Sequence, residues 1–284
     1  MAAAVTILEF TDPGCPWAYS AEPFRRRLDW IYGEHINWQT RMVGLASTPE
    51  DYTSSGFDTA KQARAFTNIA REHEMPIDTR ERERMAATVP ACRAVIAARL
   101  NAPEAERAVL RSLRVQHFSG ELLDQPETIE RAAVQAGLDP DQLASWCRSD
   151  QVSEALEQDM SAARQPIVAA RALDHKLANW SGGRRYTCPS YELVRESDGV
   201  RIAVPGFQPF ATYDVVLANL APLADRREDP ADVAEVLSWA GVPLATKEVA
   251  VLCGIGRTEA RERLGRVATE RHVGADGFWS LQVP

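Results

Sequence analysis

TDPGCPWAYSAEPF, residues 11–24, sets a single cysteine, Cys15, between a turn and a helix. Asp12-Pro13-Gly14 is turn chemistry. Behind it, apolar residues at Trp17, Ala21, Phe24, Leu28 and Ile31 fall four, three, four and three apart, which is one helix face. Pro16 suits the first helical position, where its missing N–H is not needed. Pro23 lies inside the stripe and predicts a kink, and Gly33 closes the helix. Working outward, Val5-Thr6-Ile7-Leu8-Glu9-Phe10 is short, apolar and β-branched, as a buried strand should be. Residues 36–45, with Ile36, Trp38, Met42 and Val43, predict a second strand. Residues 5–45 thus form strand–helix–strand, with parallel strands and a right-handed crossover.

From about Gly56 to Arg164 the pattern is helical, broken near Pro76, Pro90, Pro103, Gly120, Gly137 and Pro140. Five or six helices are expected, inserted into an α/β frame. Residues 165–185 are irregular and hold a flexible stretch, Ser181-Gly182-Gly183. Strand character resumes over 186–194, Ser197-Asp198-Gly199 signals a hairpin, Val200–Val204 returns, and 209–220 is helical. Arg226-Arg227-Glu228-Asp229-Pro230 has the composition of a linker. Beyond it, 231–240, 246–252 and 257–268 predict three short helices, followed by a hairpin turning at Gly274-Ala275-Asp276-Gly277. That order is winged-helix-like.

The chain has 284 residues, a formal charge of −8 and 45% apolar residues. This is an ordinary globular composition, and the acidic balance argues against general attraction to nucleic acid or anionic membrane. No stretch approaches a membrane span. The start, Met1-Ala2-Ala3-Ala4-Val5, lacks a basic n-region, so no signal peptide is expected and a cytoplasmic location is. The five cysteines, Cys15, Cys92, Cys147, Cys188 and Cys253, form no C-x-x-C pair, and the histidines show no metal-ligand spacing. No metal site and no tightly bound cofactor are expected.

A cysteine just before a helix meets unpaired backbone N–H groups and the helix dipole, which favour the thiolate. Cys15 is therefore expected to be a partly exposed, activated thiol; the alternative is a buried, inert cysteine at a strand–helix junction. Further on, Thr187-Cys188-Pro189 puts an X-Pro bond before an apolar strand. Strand, Cys-helix, strand, helical block, X-Pro, hairpin and helix follow in that order.

With Asp12-Pro13-Gly14-Cys15-Pro16-Trp17-Ala18-Tyr19, Thr187-Cys188-Pro189 and Pro23 eight residues after Cys15, the chain resembles the DsbA-like thioredoxin-fold family. The nearest branch is the FrnE-type, 2-hydroxychromene-2-carboxylate isomerase-like and kappa-class glutathione transferase group. The resemblance covers roughly residues 5–222. It implies a thioredoxin-like domain from 1–55 and 165–225, an inserted helical domain over 56–164, and an appended module over 229–284. It also implies a thiol-disulfide oxidoreductase with Cys15 as nucleophile and Pro16 and Trp17 as the variable pair that tunes it. Ala18 stands where a resolving cysteine would be, and Pro189 is the cis-proline that helps hold an extended substrate. Kappa-class transferases carry serine at the nucleophile position, so Cys15 favours the redox branch.

With no second cysteine at Ala18, a mixed disulfide on Cys15 must be resolved from elsewhere. A low-molecular-weight thiol co-substrate would make a monothiol exchanger. Alternatively Cys188 resolves it, if the Cα atoms lie within about 7 Å; the plainer role for Cys188 is filling a strand position. The substrate-binding candidates are Pro16, Trp17, Ala18, Thr187 and Pro189. Expected partners are a disulfide-containing protein or a small thiol, with a homodimer compatible.

Cys92, Cys147, Cys253, Tyr19 and Tyr186 are expected to be structural. The rival function is a redox-responsive regulator that binds DNA through the C-terminal module, where Arg257, Arg261, Arg263 and Arg266 cluster. Residues 229–284 hold six Lys/Arg against eight Asp/Glu, a net of −2, which disfavours phosphate neutralisation. Pairing with Glu259 and Glu262 on a solvated face is the alternative use of those arginines. A third reading is a non-catalytic thioredoxin-fold scaffold.

Overall fold

The computed structural model describes residues 3–282; Met1 and Ala2, on which part of the N-terminal reading rests, lie outside the described residues. β1 (Val5–Thr11) leads to α1 (Pro16–Ser20) and α2 (Glu22–Tyr32), and β2 (Ile36–Met42) returns parallel to β1. The apolar stripe from Trp17 to Ile31 is thus two helices, not one kinked helix. The break falls at Ala21, and Pro23 sits in the first turn of α2, where it gives up no needed donor. β2 stops three residues short of the expected end. Gly44 turns with φ +62°, and the Leu45 N–H goes to the Asp12 carboxylate at 2.9 Å instead of to a ladder.

The helical block holds α3 (Glu50–Thr53), α4 (Thr59–His73), α5 (Val89–Asn101), α6 (Glu106–Phe118), α7 (Pro126–Gln135), α8 (Pro140–Cys147) and α9 (Asp150–Ala163). Its core is small-residue helix contact: Ala91, Ala94, Ala97 and Ala98 on α5 are buried against Leu113, Ala132, Leu143 and Leu156. After α10 (Val168–Arg171), β3 (Ala178–Trp180) and β4 (Gly183–Arg185) form a hairpin where only irregular chain was expected. Its turn needs Gly182, because a Cβ there would lie 2.3 Å from the Trp180 ring.

β5 (Ser190–Arg195) and β6 (Arg201–Val204) complete a four-stranded sheet of order β2-β1-β5-β6. β5 starts four residues later than predicted. Its antiparallel register sets Ser190 opposite Phe10. Cys15, just beyond the end of β1, and Cys188-Pro189, just before β5, therefore emerge at one edge of the sheet. α11 (Phe210–Leu220) packs Leu217 and Leu220 on the sheet core. This is a thioredoxin fold with an inserted helical domain.

The C-terminal part runs α12 (Val233–Ala240), β7 (Leu244–Ala245), α13 (Thr246–Cys253), α14 (Arg257–Leu264), β8 (Ala268–Val273) and β9 (Asp276–Leu281), with a sheet of order β7-β9-β8. The element order is winged-helix-like, and β8 begins where the third helix was expected to continue. Val236, Leu237, Val249, Leu252 and Trp279 share one apolar cluster with Ile7, Leu28, Leu193 and Leu217. The 226–230 stretch is not a free linker. The Trp30 indole donates to the Glu228 carbonyl at 2.8 Å, and the Arg227 N–H donates to the Ile31 carbonyl at 2.9 Å. Its charges find partners on three helices, Asp229 with Arg27 on α2, Arg226 with Asp214 on α11 and Arg227 with Glu235 in the C-terminal part, which is why a linker composition yields a fixed seam.

Buried charge ties the layers together. Arg114 on α6 reaches Glu22 and Thr11 and lies 3.3 Å from Glu9, whose other oxygen pairs with Arg25 at 3.1 Å. Glu248 on α13 accepts from Arg26 at 2.8 Å, from Arg111 at 2.6 Å and from the Ala245 N–H at 2.8 Å.

Candidate active site

Cys15 is the residue from which α1 starts, with extended backbone and Pro16 in the first turn. Its Sγ lies 3.2 Å from the Cys188 carbonyl, to which the thiol donates, and the Cys188–Pro189 peptide is cis. The expectation of partial exposure is corrected: Cys15 is 6% exposed and Cys188 7%. Both lie in an apolar cluster with Phe10, Ala18, Val43 and Tyr186, because the thiol turns inward toward β5. The cysteine is buried, but it is not in a purely apolar setting.

Burial pushes the Cys15 thiol up. The Cys188 side chain and the backbone N–H groups of Ala18 and Trp17 pull it down, against the Asp12 charge, and the downward pull wins. Cys188 moves the other way. Burial raises its pKa well above that of an ordinary thiol, and its bond to Cys15 and the charges of Cys15 and Asp12 add to this, with Arg185 opposing. The two thiols are thus shifted in opposite directions, Cys15 down and Cys188 up.

Beneath the pair, Asp12 organises the loops. One oxygen accepts from the Gly14 N–H at 2.8 Å; the other accepts from the Leu45 N–H at 2.9 Å, from Thr88 Oγ1 at 2.9 Å and from the Cys92 thiol at 3.5 Å. Burial raises the Asp12 pKa against these four donors. Cys92, expected to be structural, is buried there, and its thiol is pushed well up by burial and by Asp12. Tyr52 stands over the group; burial and the charges of Asp12 and Cys15 keep its phenol protonated.

The substrate-binding candidates divide. Trp17 is 38% exposed, Pro16 and Thr187 are half-buried, and Ala18 and Pro189 are buried. Thr187 Oγ1 donates to the Lys176 carbonyl at 2.8 Å, fixing the loop before the cis peptide. The Trp17 ring is edge-on to His73 at 5.0 Å and to Phe207 at 5.8 Å, and His73 lies 4.5 Å from Phe207. This aromatic ledge flanks the thiol, and burial, with the Lys247 charge, holds the His73 imidazole below its usual pKa against the pull of Glu72. Tyr19 and Tyr186 are core residues, as expected: Tyr19 bonds the Pro76 carbonyl and Tyr186 bonds Glu192.

The Thioredoxin_5 family, described as thioredoxin, matches residues 8–170, more than half of the chain. The chain belongs to that family. Solved structures agree on the fold. A probable DsbA oxidoreductase from Streptomyces coelicolor is 15% identical, with a TM-score of 0.55, covering 77% of this chain and 91% of that one. The cytosolic disulfide reductase DsbM from Pseudomonas aeruginosa is 15% identical, with a TM-score of 0.51, covering 75% and 99%. Among curated proteins, the ClpXP adapter protein SpxH from Shouchella clausii is 23% identical over 273 residues, 95% of this chain and 84% of that one.

Asp12, Thr88, Cys92, Tyr52, His73 and Phe207 escaped the sequence reading as site residues. Asp12 sat in plain view, three residues before Cys15, but was absorbed into a turn. The others reach the site only through the insertion and the loop after β6, and no local pattern marks them.

Proposed function

We propose that this Thioredoxin_5 protein exchanges disulfides through one thiol, Cys15, and that an external small thiol resolves the mixed disulfide. The observation that carries the reading is the Cys15 sulfur at the start of α1, 3.2 Å from the Cys188 carbonyl and beside a cis-proline peptide, with its pKa drawn down in spite of burial. A thiolate is the attacking species in such exchange. Cys188, held as the thiol, serves as hydrogen-bond donor to the thiolate and is a poor second nucleophile at neutral pH. DsbM, a relative in fold, has also been solved with GSH, which supports a small thiol as co-substrate, and its cytosolic description supports the cytoplasm as the place of reaction. The test is alkylation of Cys15 against pH, followed by intact mass after reaction with a disulfide. We expect a midpoint below that of free cysteine and a persistent mixed disulfide on Cys15. A midpoint at or above free cysteine removes the reading, and loss of two mass units through a Cys15–Cys188 bridge replaces the small thiol with Cys188.

A second reading is a binding scaffold. The SpxH alignment covers 95% of this chain, so it includes most of the C-terminal module, and SpxH is named an adapter. On this reading Cys15→Ser preserves partner capture; on the first, it abolishes exchange. DNA binding is not carried forward. Arg261 pairs with Asp276 and Glu270, Arg257 with Asp276 and Arg263 with Glu259, so the arginines of α14 are already engaged.

A further inference from the structure

The segment from Arg164 to Arg185 carries Arg164, Arg171, Lys176, Arg184 and Arg185 against one carboxylate, Asp174, in a chain whose net charge is −8. Asp174 is taken by Arg184 at 2.7 Å. The other cations near the thiols have no carboxylate among the described residues. Arg164 donates to the carbonyls of Val43 at 3.2 Å and Met160 at 2.8 Å, and its guanidinium lies 5.3 Å from the Trp180 ring centre. Arg185 donates to the Tyr186 carbonyl at 2.8 Å. The Lys176 stem crosses Gly206, with Cδ 3.6 Å from where a Cβ there would sit, and the Lys176 carbonyl is the atom Thr187 bonds.

These groups border the reactive pair. Val43 and Tyr186 belong to the apolar cluster that holds Cys15 and Cys188, and Thr187 immediately precedes Cys188. Arg185 is near enough to Cys188 to favour its anion, and near enough to Arg164 that the two guanidinium groups repel. Neighbouring carboxylates point elsewhere. Asp12 faces Leu45 and Thr88, Glu192 binds Tyr186 and Arg201, and Asp159 binds Arg41, Arg99 and the Met42 N–H. An edge with three unneutralised cations attracts anions.

We propose that the disulfide exchanged at Cys15 is a small molecule bearing carboxylates close to its sulfur atoms, and that Arg164, Lys176 and Arg185 receive those carboxylates. The proposal rests on the exchange reading above. A slender partner suits the site, because Cys15 is only 6% exposed. In the step, the Cys15 thiolate attacks one sulfur of the disulfide. The new S–S bond forms as the old one breaks, and the bond pair leaves on the second sulfur as a thiolate. Cys15 and the captured sulfur end as the oxidised pair, the departing sulfur is the reduced product, and no further oxidant is needed.

The test compares rates of Cys15 modification by dianionic dithiobis(nitrobenzoate) and neutral dithiodipyridine, in the full chain and in K176Q/R185Q. The dianion-to-neutral rate ratio should fall about tenfold in the double variant, within the range electrostatic steering spans. Raising salt should lower the ratio in the parent chain more steeply than in the variant, which keeps Arg164. R185K, which keeps the charge, should keep the ratio and guards against a folding artefact. Equal ratios in the parent chain and the double variant, with both proteins labelled, overturn the carboxylate proposal alone. Failure of both reagents to label Cys15 in the parent chain, while a free cysteine peptide reacts, overturns the exchange reading beneath it.

Discussion

Glu248 offers a sharp test of whether the C-terminal module is part of the thioredoxin body. Its side chain is fully buried and accepts from Arg26, Arg111 and the Ala245 N–H. Arg26 and Arg111 come from α2 and α6, so this one carboxylate joins three layers. Glu248→Ala leaves Arg26 with no ion-pair partner within 4 Å among the described residues and Arg111 with only Glu22, 3.7 Å away. Breaking a buried pair by removing one partner costs about 3–5 kcal/mol. The entropy of unfolding, at about 2.1 cal/mol/K per residue over 284 residues, is about 0.6 kcal/mol/K. The melting temperature should then drop by about 5–8 °C, in a single transition, because Val236, Leu252 and Trp279 share a core with Ile7 and Leu193. Differential scanning calorimetry measures this. Two resolved transitions in the variant, with the upper one unmoved, would show that the module folds by itself and that the seam is a contact between independent domains.

Two further substitutions probe the buried frame. Arg114→Met removes the nearest counter-charge of Glu22, leaving it Arg111 at 3.7 Å, and leaves Glu9 with Arg25 alone. Burial raises the Glu22 pKa, but Arg114, Arg111, Arg26 and Arg25 together hold it far below the ordinary carboxylate range. A depressed carboxyl contributes stability above its unfolded pKa, about 4.3, and loses it as pH falls. The variant should therefore lose about 3–5 kcal/mol at pH 7 and progressively less as pH falls below about 4.3, read by urea unfolding at pH 7 and at about pH 3; an equal loss at both values would mean that Glu22 does not depend on Arg114. Gly14→Ala brings a Cβ to 2.7 Å from Thr88 Cγ2 and 3.2 Å from Leu123. Overpacking of this kind costs about 1–3 kcal/mol, and because the Gly14 N–H binds Asp12, Cys15 alkylation should slow as well; a stable variant with unaltered alkylation would separate the turn from the thiol.

Much of the frame was legible because it is local. The spacing from Trp17 to Ile31, the β-branched run before Asp12 and the X-Pro at 189 each act within a few residues; the structure keeps the strand and the X-Pro, and splits the helical stripe into two helices at Ala21. The register of β1 on β5 is not local, yet it follows once both elements are known, since an antiparallel partner entering at Ser190 must bring residue 188 to the end of β1. Illegible were contacts whose partners are far apart in sequence and carry no periodic mark. Arg114 and Glu9 are 105 residues apart, and Arg26 and Glu248 are 222 apart. In the sequence each is an ordinary charge expected on the surface, where most charges lie. The same blindness explains the error on Cys15. A thiol at a helix start is easily imagined open to solvent, because the rule for helix ends concerns N–H groups and says nothing about the wall opposite. Here that wall is Cys188, Tyr52 and Val43. It excludes water, and exclusion strengthens the few hydrogen bonds that remain. Burial and a downward pKa shift, expected as alternatives, therefore occur together at Cys15. The apolar wall raises the cost of the thiolate, and the Cys188 donor and the α1 amides offset that cost at a single sulfur. Cys92, equally buried but facing the Asp12 carboxylate instead of donors, is driven the opposite way.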